Sequence, residues 1–136
     1  MGMKAVTVSD YMTRQLVTFK PETTLFEAMN VMLEKRISGA PVVDEAGAIL
    51  GIISEIDFLD AMLKAAYYGQ LEGAVGDFMT AGAETIDASM DLYEAAKLFI
   101  GARRRRLPVL QNGRLVGQLS RRDLLRAIRD WSAPKP

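Results

Sequence analysis

Gly51-Ile52-Ile53-Ser54-Glu55-Ile56-Asp57 is the stretch of sequence that decides the fold. Its small and apolar residues before Ser54 predict a buried strand, and the apolar spacing after Ser54 predicts a helix. Gly117-Gln118-Leu119-Ser120-Arg121-Arg122-Asp123 repeats the pattern, with Gly, Ser and Asp at the same offsets. We call these stretches the first corner and the second corner. The chain is therefore interpreted as two copies of one unit, each ending in a corner.

The internal repeat extends well beyond the corners. At a shift of 67 positions, Asp10-Tyr11-Met12-Thr13 matches Asp77-Phe78-Met79-Thr80, and Pro41-Val42 matches Pro108-Val109. One residue is lost in the next turn, so the corners match at a shift of 66. Such a series of identities in register predicts two structural repeats. We place the first copy at residues 7–68, a linker at 69–76 and the second copy at 77–131.

Each copy is predicted to run strand, helix, strand, strand, helix, which is an α/β (α+β) arrangement. In the first copy we expect a strand at 16–19 and a helix over 25–36 capped by Thr24. The helix after Asp57 is expected to reach Tyr68. The second copy should turn at Asn112-Gly113, a dipeptide favoured in tight hairpins. The apolar spacing predicts these core-facing helix residues: Leu25, Met29, Met32 and Leu33, then Leu92, Ala96, Phe99 and Ile100.

Composition excludes several classes of function. The chain contains no cysteine and no histidine, which removes disulfides, thiolate metal sites and the commonest general base. No nucleophile–base pair is visible, so we expect no enzyme activity. The apolar runs are too short to span a membrane and no signal peptide is visible, so a cytoplasmic location is expected. Residues 1–67 carry 6 Lys and Arg against 9 Asp and Glu, and residues 68–136 carry 11 against 8, which favours the second half for an anion.

The matching pieces, together with Ile37-Ser38-Gly39-Ala40-Pro41-Val42-Val43-Asp44, resemble a tandem pair of cystathionine β-synthase (CBS) domains, often called a Bateman module. The resemblance covers about residues 7–130. It implies two repeats related by a pseudo-twofold and packed through their sheets, with the corners on opposite sides of one cleft. It also implies a stand-alone regulatory module that binds AMP, ADP or ATP, with or without Mg²⁺, or S-adenosylmethionine. No cofactor is required, and homodimers are expected.

The corners themselves have two compatible interpretations. Ser followed by Asp three residues later is an ordinary capping box, which satisfies the first amides of a helix. The same helix terminus suits a phosphate, because it presents free amides and a partial positive charge. The resemblance implies that the aspartate holds a ribose and the serine contacts the first phosphate. These roles fall to Asp57 with Ser54, and to Asp123 with Ser120.

The resemblance also implies an adenine site beside the first two strands of each copy. The apolar candidates can equally be plain core residues, and the threonines ordinary strand residues. The candidates are Thr18, Ile37, Ser38, Ala40 and Pro41 in the first copy, and Thr85, Leu107 and Pro108 in the second.

Four consecutive arginines, Arg103 to Arg106, precede the second strand of the second copy. They can be a solvated charge run at a helix end, or one or two of them can grip phosphate oxygens. Arg105 and Arg106 are our candidates, together with Arg121 inside the second corner. Glu55 takes the place of Arg121 in the first corner and would repel a phosphate. The second corner is therefore the stronger nucleotide candidate.

Three classes of function are compatible with a chain of this kind. The first is a module that senses an adenine nucleotide and regulates a separate protein. The alternative is a structural dimerisation or partner-binding module with vestigial ligand pockets. A nucleic-acid binder is the weakest of the three, since the net charge is zero and no aromatic residues interleave with the arginines. A homodimer is expected to form through the helices at 61–68 and 124–131, which carry more apolar residues than one small core needs.

Overall fold

The computed structural model describes residues 6–67, 69 and 71–133, which form a mixed α+β fold. The second copy has the predicted order of strand, helix, strand, strand, helix. The helices are α1 (Val8–Tyr11), α2 (Leu25–Lys35), α3 (Glu55–Ala65), α4 (Val75–Phe78), α5 (Leu92–Ala102) and α6 (Arg121–Ser132). The strands are β1 (Gly39–Val43), β2 (Ile49–Ser54), β3 (Thr80–Ala81), β4 (Ile86–Asp87), β5 (Arg106–Gln111) and β6 (Arg114–Ser120).

The chain divides into two compact units whose boundaries differ from the predicted copies. One unit is Val17–Ala83, and the other joins Met1–Leu16 to Glu84–Pro136. Relative to the copies predicted at 7–68 and 77–131, the segments that contain α1 and α4 have changed places. Each unit therefore takes its short helix from the beginning of the other copy.

Helix α1 is held by the second copy. The Val8 amide donates to the Met90 carbonyl at 2.8 Å, and Thr13 forms an antiparallel bridge with Gln118. The Tyr11 hydroxyl donates to Asp130 in α6 at 2.7 Å. This hydrogen bond is the main cause that raises the pKa of Tyr11 and lowers the pKa of Asp130.

Helix α4 is held by the first copy in the same way. The Val75 amide donates to the Thr23 carbonyl at 2.8 Å, and Thr80 of β3 pairs with Ile52 of β2. The helix begins inside the range 69–76 that we predicted as a linker. The Tyr68 end predicted for the preceding helix lies outside the described residues, and α3 itself ends at Ala65.

Each unit contains one three-stranded sheet. The orders are β1-β2-β3, which is antiparallel throughout, and β4-β5-β6, in which β4 and β5 run parallel. The strand predicted at 16–19 is wrong, since Phe19 alone bridges to Val42. The Phe19 amide donates to the Pro41 carbonyl, and Phe19 accepts from the Val43 amide. Pro41 has no N–H with which to bond residue 17, so the parallel ladder stops there.

The helices α2 and α5 bury four of the predicted core residues, Leu25, Met32, Leu92 and Phe99, around a central alanine that was not predicted. Leu33 and Ile100, at equivalent positions of the two copies, are 71% and 80% exposed, so their predicted core positions are wrong. Ala28 and Ala95 occupy the core instead, because small side chains let each helix approach its sheet. The buried faces are Leu25, Ala28 and Met32 in α2, and Leu92, Ala95 and Phe99 in α5.

The predicted caps and the hairpin turn are confirmed. Thr24 accepts a hydrogen bond from the Glu27 amide at 3.1 Å, which caps α2. Between β5 and β6, Asn112 and Gly113 have φ angles of 53° and 77°. Both values lie in the left-handed region that a two-residue hairpin of this type requires. Local turn chemistry therefore fixes this hairpin.

Two glycines permit the segments that follow α1 and α4 to approach the sheets closely. A Cβ atom on Gly117 would lie 2.8 Å from the Thr13 carbonyl oxygen. A Cβ atom on Gly51 would lie 2.6 Å from the Thr80 carbonyl oxygen. Since real Cβ contacts are not this short, only glycine fits at either position. The repeated glycine that opens each corner thus serves the docking of a segment from elsewhere in the chain.

Candidate functional site

The first corner is a capping box at the start of α3. The amide and hydroxyl of Ser54 donate to Oδ2 of Asp57 at 2.8 and 3.1 Å. The Glu55 amide donates to the Ser38 carbonyl at 3.1 Å, which ties the corner to the entry of β1. Asp57 is 9% exposed, and its Oδ1 atom makes no hydrogen bond within the described part of the chain. One acceptor atom of this carboxylate is therefore available.

The second corner has the same capping box at the start of α6. The amide and hydroxyl of Ser120 donate to Oδ2 of Asp123 at 2.8 and 3.0 Å, and the Asp123 amide donates back to the Ser120 hydroxyl at 3.2 Å. The capping interpretation of both corners is confirmed, and both serines stand at the N-terminus of a helix as predicted.

The two corners differ in the hydrogen bonds made by the second oxygen, Oδ1, of the aspartate carboxylate. Oδ1 of Asp123 accepts from Nη2 of Arg126 at 2.6 Å and from the Thr13 hydroxyl at 3.4 Å, and the residue is 1% exposed. The position equivalent to Arg126 in the first copy is Asp60, which pairs with Lys64 at 3.1 Å instead. Within the described part of the chain, both oxygens of the Asp123 carboxylate thus accept hydrogen bonds, whereas only Oδ2 of Asp57 does so.

Three of the predicted arginine positions lie together at the second corner. Arg106 pairs with Ser120 across β5 and β6, and the Arg105 carbonyl accepts from the Arg121 amide at 3.1 Å. The structure thus gathers Arg105, Arg106 and Arg121 around Ser120. At the corresponding places of the first corner stand Ser38, Gly39 and Glu55, so the three arginines of the second corner have no basic counterpart there.

Arg104 belongs to a different set of contacts. Its guanidinium pairs with Glu84 at 2.7 Å, and its carbonyl accepts from Nε of Arg121 at 2.7 Å. This bond directs the Arg121 side chain towards the Arg104 backbone. Within the arginine run, the Arg104 side chain therefore forms an ion pair, and the backbone of Arg105 and Arg106 lies beside the second corner.

The residues predicted to contact adenine fall into two groups. Ala40 and Leu107 belong to the hydrophobic cores of their units, and Pro41 and Pro108 beside them are also buried. The structure therefore supports the core interpretation for these four. The more accessible candidates are Thr18, which is exposed, and Thr85, Ile37 and Ser38, which are half-buried.

Sequence reasoning missed two partners of the second corner, Arg126 and Thr13. Arg126 lies three residues after Asp123, a spacing that brings side chains together on a helix and was available as a signal. The contact of Thr13 could not be found that way, because 110 positions separate it from Asp123.

Neither a metal site nor a membrane-spanning helix is formed by the residues that the structure describes. They contain no group of three or more His, Cys, Asp or Glu side chains able to hold a metal ion. None of the helices formed by these residues has the length and apolar character needed to cross a membrane.

Comparison with known families and proteins gives consistent results. The model of the family described as CBS domain matches residues 8–64 and 75–130. The chain is 31% identical to the CBS domain-containing protein CBSX1, chloroplastic, of Arabidopsis thaliana, over 89% of this chain and 63% of that protein. It therefore spans less than two thirds of this relative. It is also 31% identical to inosine-5'-monophosphate dehydrogenase of Aquifex aeolicus, over 81% of this chain but 22% of the enzyme.

A solved structure resembles the whole fold. The crystal structure of CBSX2, a protein of Arabidopsis thaliana, in complex with AMP superposes with a TM-score of 0.79 at 34% sequence identity. The alignment covers 92% of this chain and 97% of that one. The resemblance therefore extends through both copies.

Proposed function

This chain belongs to the CBS domain family, and from that premise we propose that it is a regulatory module that binds an adenine nucleotide at the second corner. One observation carries the proposal. The start of α6 and the Ser120 hydroxyl lie at the buried carboxylate of Asp123, and the backbone of Arg105, Arg106 and Arg121 lies next to Ser120. A helix N-terminus and guanidinium groups favour a phosphate, and a carboxylate accepts ribose hydroxyls.

Ribose binding at this corner requires a local exchange of partners. The ribose hydroxyls would take the place of Arg126 and Thr13 on Oδ1 of Asp123. The Arg126 side chain is 47% exposed, so water can replace its bond when it moves away from the carboxylate. The bond to Thr13 is long, at 3.4 Å. Opening the carboxylate therefore costs little compared with two hydrogen bonds to a ribose.

The first corner is the weaker site in this proposal. No hydrogen bond from the described residues reaches Oδ1 of Asp57, which suits a ribose. Glu55 nevertheless begins α3 where a phosphate would lie, and the nearby positions carry no arginine. Thr85 remains our proposed adenine contact for the second copy, and Thr18 and Ser38 for the first, because the buried side chains of Leu107, Pro108, Ala40 and Pro41 belong to the core.

AMP is the first ligand to test, because the related CBSX2 was crystallised with it. ADP, ATP with Mg²⁺ and S-adenosylmethionine remain candidates by resemblance. We propose no catalytic activity and a cytoplasmic location for the module.

A thermal-shift panel tests nucleotide binding. At a concentration one hundred times its dissociation constant, the preferred nucleotide is expected to add about 2.7 kcal/mol to the free energy of unfolding. For a chain of this size such a gain raises Tm by several degrees. Inorganic phosphate and ribose 5-phosphate serve as controls for the phosphate and ribose contributions. The absence of any shift at millimolar nucleotide would leave the structural-module alternative.

That alternative is supported by a separate observation. Large apolar side chains are exposed on four helices, among them Phe26, Leu59, Tyr93 and Leu125. Exposed apolar area of this kind is typical of an interaction surface. We propose that α3 and α6 use it to form a homodimer, with or without nucleotide, and that the separate protein that the module regulates binds elsewhere.

Light scattering at micromolar concentration measures the assembly directly. We expect a mass of twice the 15.0 kDa chain, because burial of the exposed apolar side chains offsets the entropy cost of association. A monomer mass over the same range of concentration would contradict the homodimer.

A further inference from the structure

The first corner leaves one oxygen of a nearly buried carboxylate open to a ligand. Asp57 is 9% exposed, and the amide and hydroxyl of Ser54 both donate to its Oδ2 atom. No hydrogen bond from the described residues reaches Oδ1. In the second corner, Arg126 and Thr13 occupy the equivalent oxygen of Asp123. Since buried polar atoms normally have partners, helix capping accounts for only one of the two Asp57 oxygens.

Six positions around the second corner are arginines, and none of their equivalents in the first copy is basic. The equivalent pairs are Arg104 and Ile37, Arg105 and Ser38, Arg106 and Gly39, Arg121 and Glu55, Arg122 and Ile56, and Arg126 and Asp60. Guanidinium groups favour a phosphate, whereas a carboxylate alone can accept ribose hydroxyls. The first corner therefore retains the group that suits a ribose and lacks the groups that suit a phosphate.

The same contrast extends to the two structural units as wholes. Residues 17–83 carry 4 Lys and Arg against 10 Asp and Glu, whereas residues 1–16 together with 84–136 carry 13 against 7. The summed charges of a unit contribute to the electrostatic potential over its surface. The first corner therefore lies on a unit that favours cations, and the second on a unit that favours anions.

The cations on the helices that flank the first corner do not reverse this sign. Lys35 and Arg36 end α2, where the neighbouring Glu34 offsets one of them and the second copy also has an arginine. Lys64 pairs with an aspartate of α3 at 3.1 Å and lies more than two helical turns beyond Glu55. Glu55 is exposed as the first residue of α3, where a carboxylate offsets the partial positive charge of the helix terminus. This helix start is therefore less attractive to a phosphate.

We propose that the first corner is a second ligand site with the opposite charge preference, in which Asp57 holds a ribose and Glu55 selects a nucleoside whose 5′ substituent is positively charged. The inference rests on the proposed function, because it uses the same contact between a corner aspartate and a ribose. Glu55 stands where Arg121 stands in the second corner, so it repels a phosphate and attracts an ammonium group. Specificity commonly combines repulsion of one ligand with attraction of another, and Glu55 supplies both.

Three nucleosides that differ only at the 5′ position measure this preference. AMP carries a phosphate, adenosine a neutral hydroxyl, and 5′-amino-5′-deoxyadenosine an ammonium group at neutral pH. Titration calorimetry compares Asp123→Ala, which retains the first-corner aspartate, with Asp57→Ala, which retains that of the second corner. In Asp123→Ala the ammonium compound should bind more tightly than AMP by about tenfold or more, with adenosine between them. In Asp57→Ala the order should be reversed, and the same order in both variants would overturn the proposal.

Charge reversal at Glu55 tests the residue itself. In the Asp123→Ala chain, Glu55→Arg should shift the ratio of the two dissociation constants towards AMP by about tenfold or more. Because a ratio is compared, a general loss of affinity or stability does not produce this shift. The shift should also shrink between 0.1 M and 1 M salt, as the screening length falls from roughly 10 Å to 3 Å.

Glu45→Arg is the matched control. It makes the same change of charge in the exposed turn after β1, and the five residues of β1, roughly 16 Å, separate it from the first corner. At that distance exposed charges are largely screened, so the ratio should change by no more than about twofold in 0.15 M salt. An equal shift in Glu45→Arg and Glu55→Arg would overturn the role of Glu55.

The outcomes separate this inference from the nucleotide site on which it rests. If AMP binds to Asp57→Ala but the ammonium compound does not bind to Asp123→Ala, the first-corner site is overturned and the second corner stands. If none of the three compounds binds to the wild-type chain at millimolar concentration, both are overturned. Circular dichroism identifies any variant that fails to fold.

Discussion

Replacement of Asp123 by alanine is expected to weaken AMP binding by an order of magnitude or more. The variant loses two hydrogen bonds between a carboxylate and ribose hydroxyls, each worth roughly 1.5–3 kcal/mol. Titration calorimetry of wild type and Asp123→Ala at the same salt concentration measures the change. The phosphate contacts of Ser120 and the arginines remain in the variant, so adenine nucleotides should lose more affinity than inorganic phosphate does.

Asp57→Ala is the matched control for this experiment. It removes the same capping bonds from α3 that Asp123→Ala removes from α6, and loss of these bonds should cost each variant about 1 kcal/mol of fold stability. Asp123→Ala also loses the contacts with Arg126 and Thr13, so it should be the less stable of the two. Comparison of the two variants therefore separates the effect of lost helix capping from the effect of lost ligand contacts. The loss of nucleotide affinity should be smaller for Asp57→Ala. A second control, Arg126→Ala, removes the guanidinium that competes for Oδ1 and should tighten adenosine binding by up to a few fold. Equal affinity of wild type and Asp123→Ala would contradict the proposed ribose contact.

Gly117→Ala is expected to destabilise the fold by about 1–3 kcal/mol, and Gly51→Ala by a similar amount. The added Cβ atom would press against a backbone carbonyl, that of Thr13 or of Thr80. A backbone atom cannot move aside as the end of a flexible side chain can, so the docked segment must shift away from the sheet. Urea unfolding followed by circular dichroism measures the free energy of unfolding.

Gly101→Ala is the control for the glycine variants. Gly101 lies in α5, and a Cβ atom there would have no neighbour within 4 Å. Alanine should therefore stabilise the helix, by roughly 0.5–1 kcal/mol. If Gly117→Ala were as stable as Gly101→Ala, the close approach of Thr13 to β6 would not be a constraint on the fold.

The sequence predicted the features that depend on neighbouring residues. Ser54 with Asp57 and Ser120 with Asp123 are recognisable because a capping box is built from residues three apart. The turn at Asn112-Gly113 follows from the φ angles that those residues accept. The repeat then placed the same elements in both copies, which predicted most of the fold.

Features that depend on distant residues could not be predicted. Helical spacing shows that Leu33 and Ile100 lie on the same side of their helices as the core residues. It does not show that this apolar side is wider than the part that is buried, which leaves both residues exposed. The strand at 16–19 fails because of Pro41 in its neighbour, a residue distant in sequence. The partner that Thr13 provides for Asp123 depends on the placement of α1 with the second copy. The capping residues of the proposed site could thus be predicted from local sequence. The contact that Thr13 makes with Asp123 depends on tertiary structure and could not.

The exchange of short helices between the copies has a consequence for the order of events during synthesis. All of Val17–Ala83 can leave the ribosome and fold before Gln118, the bridge partner of Thr13, has been made. Residues 6–16 must therefore wait, without their final partners, until almost the whole chain has emerged. Long-range contacts of this kind slow folding, since the connecting loop must close before they contribute. We therefore expect the unit that contains α6 to be the later of the two to fold in the cell.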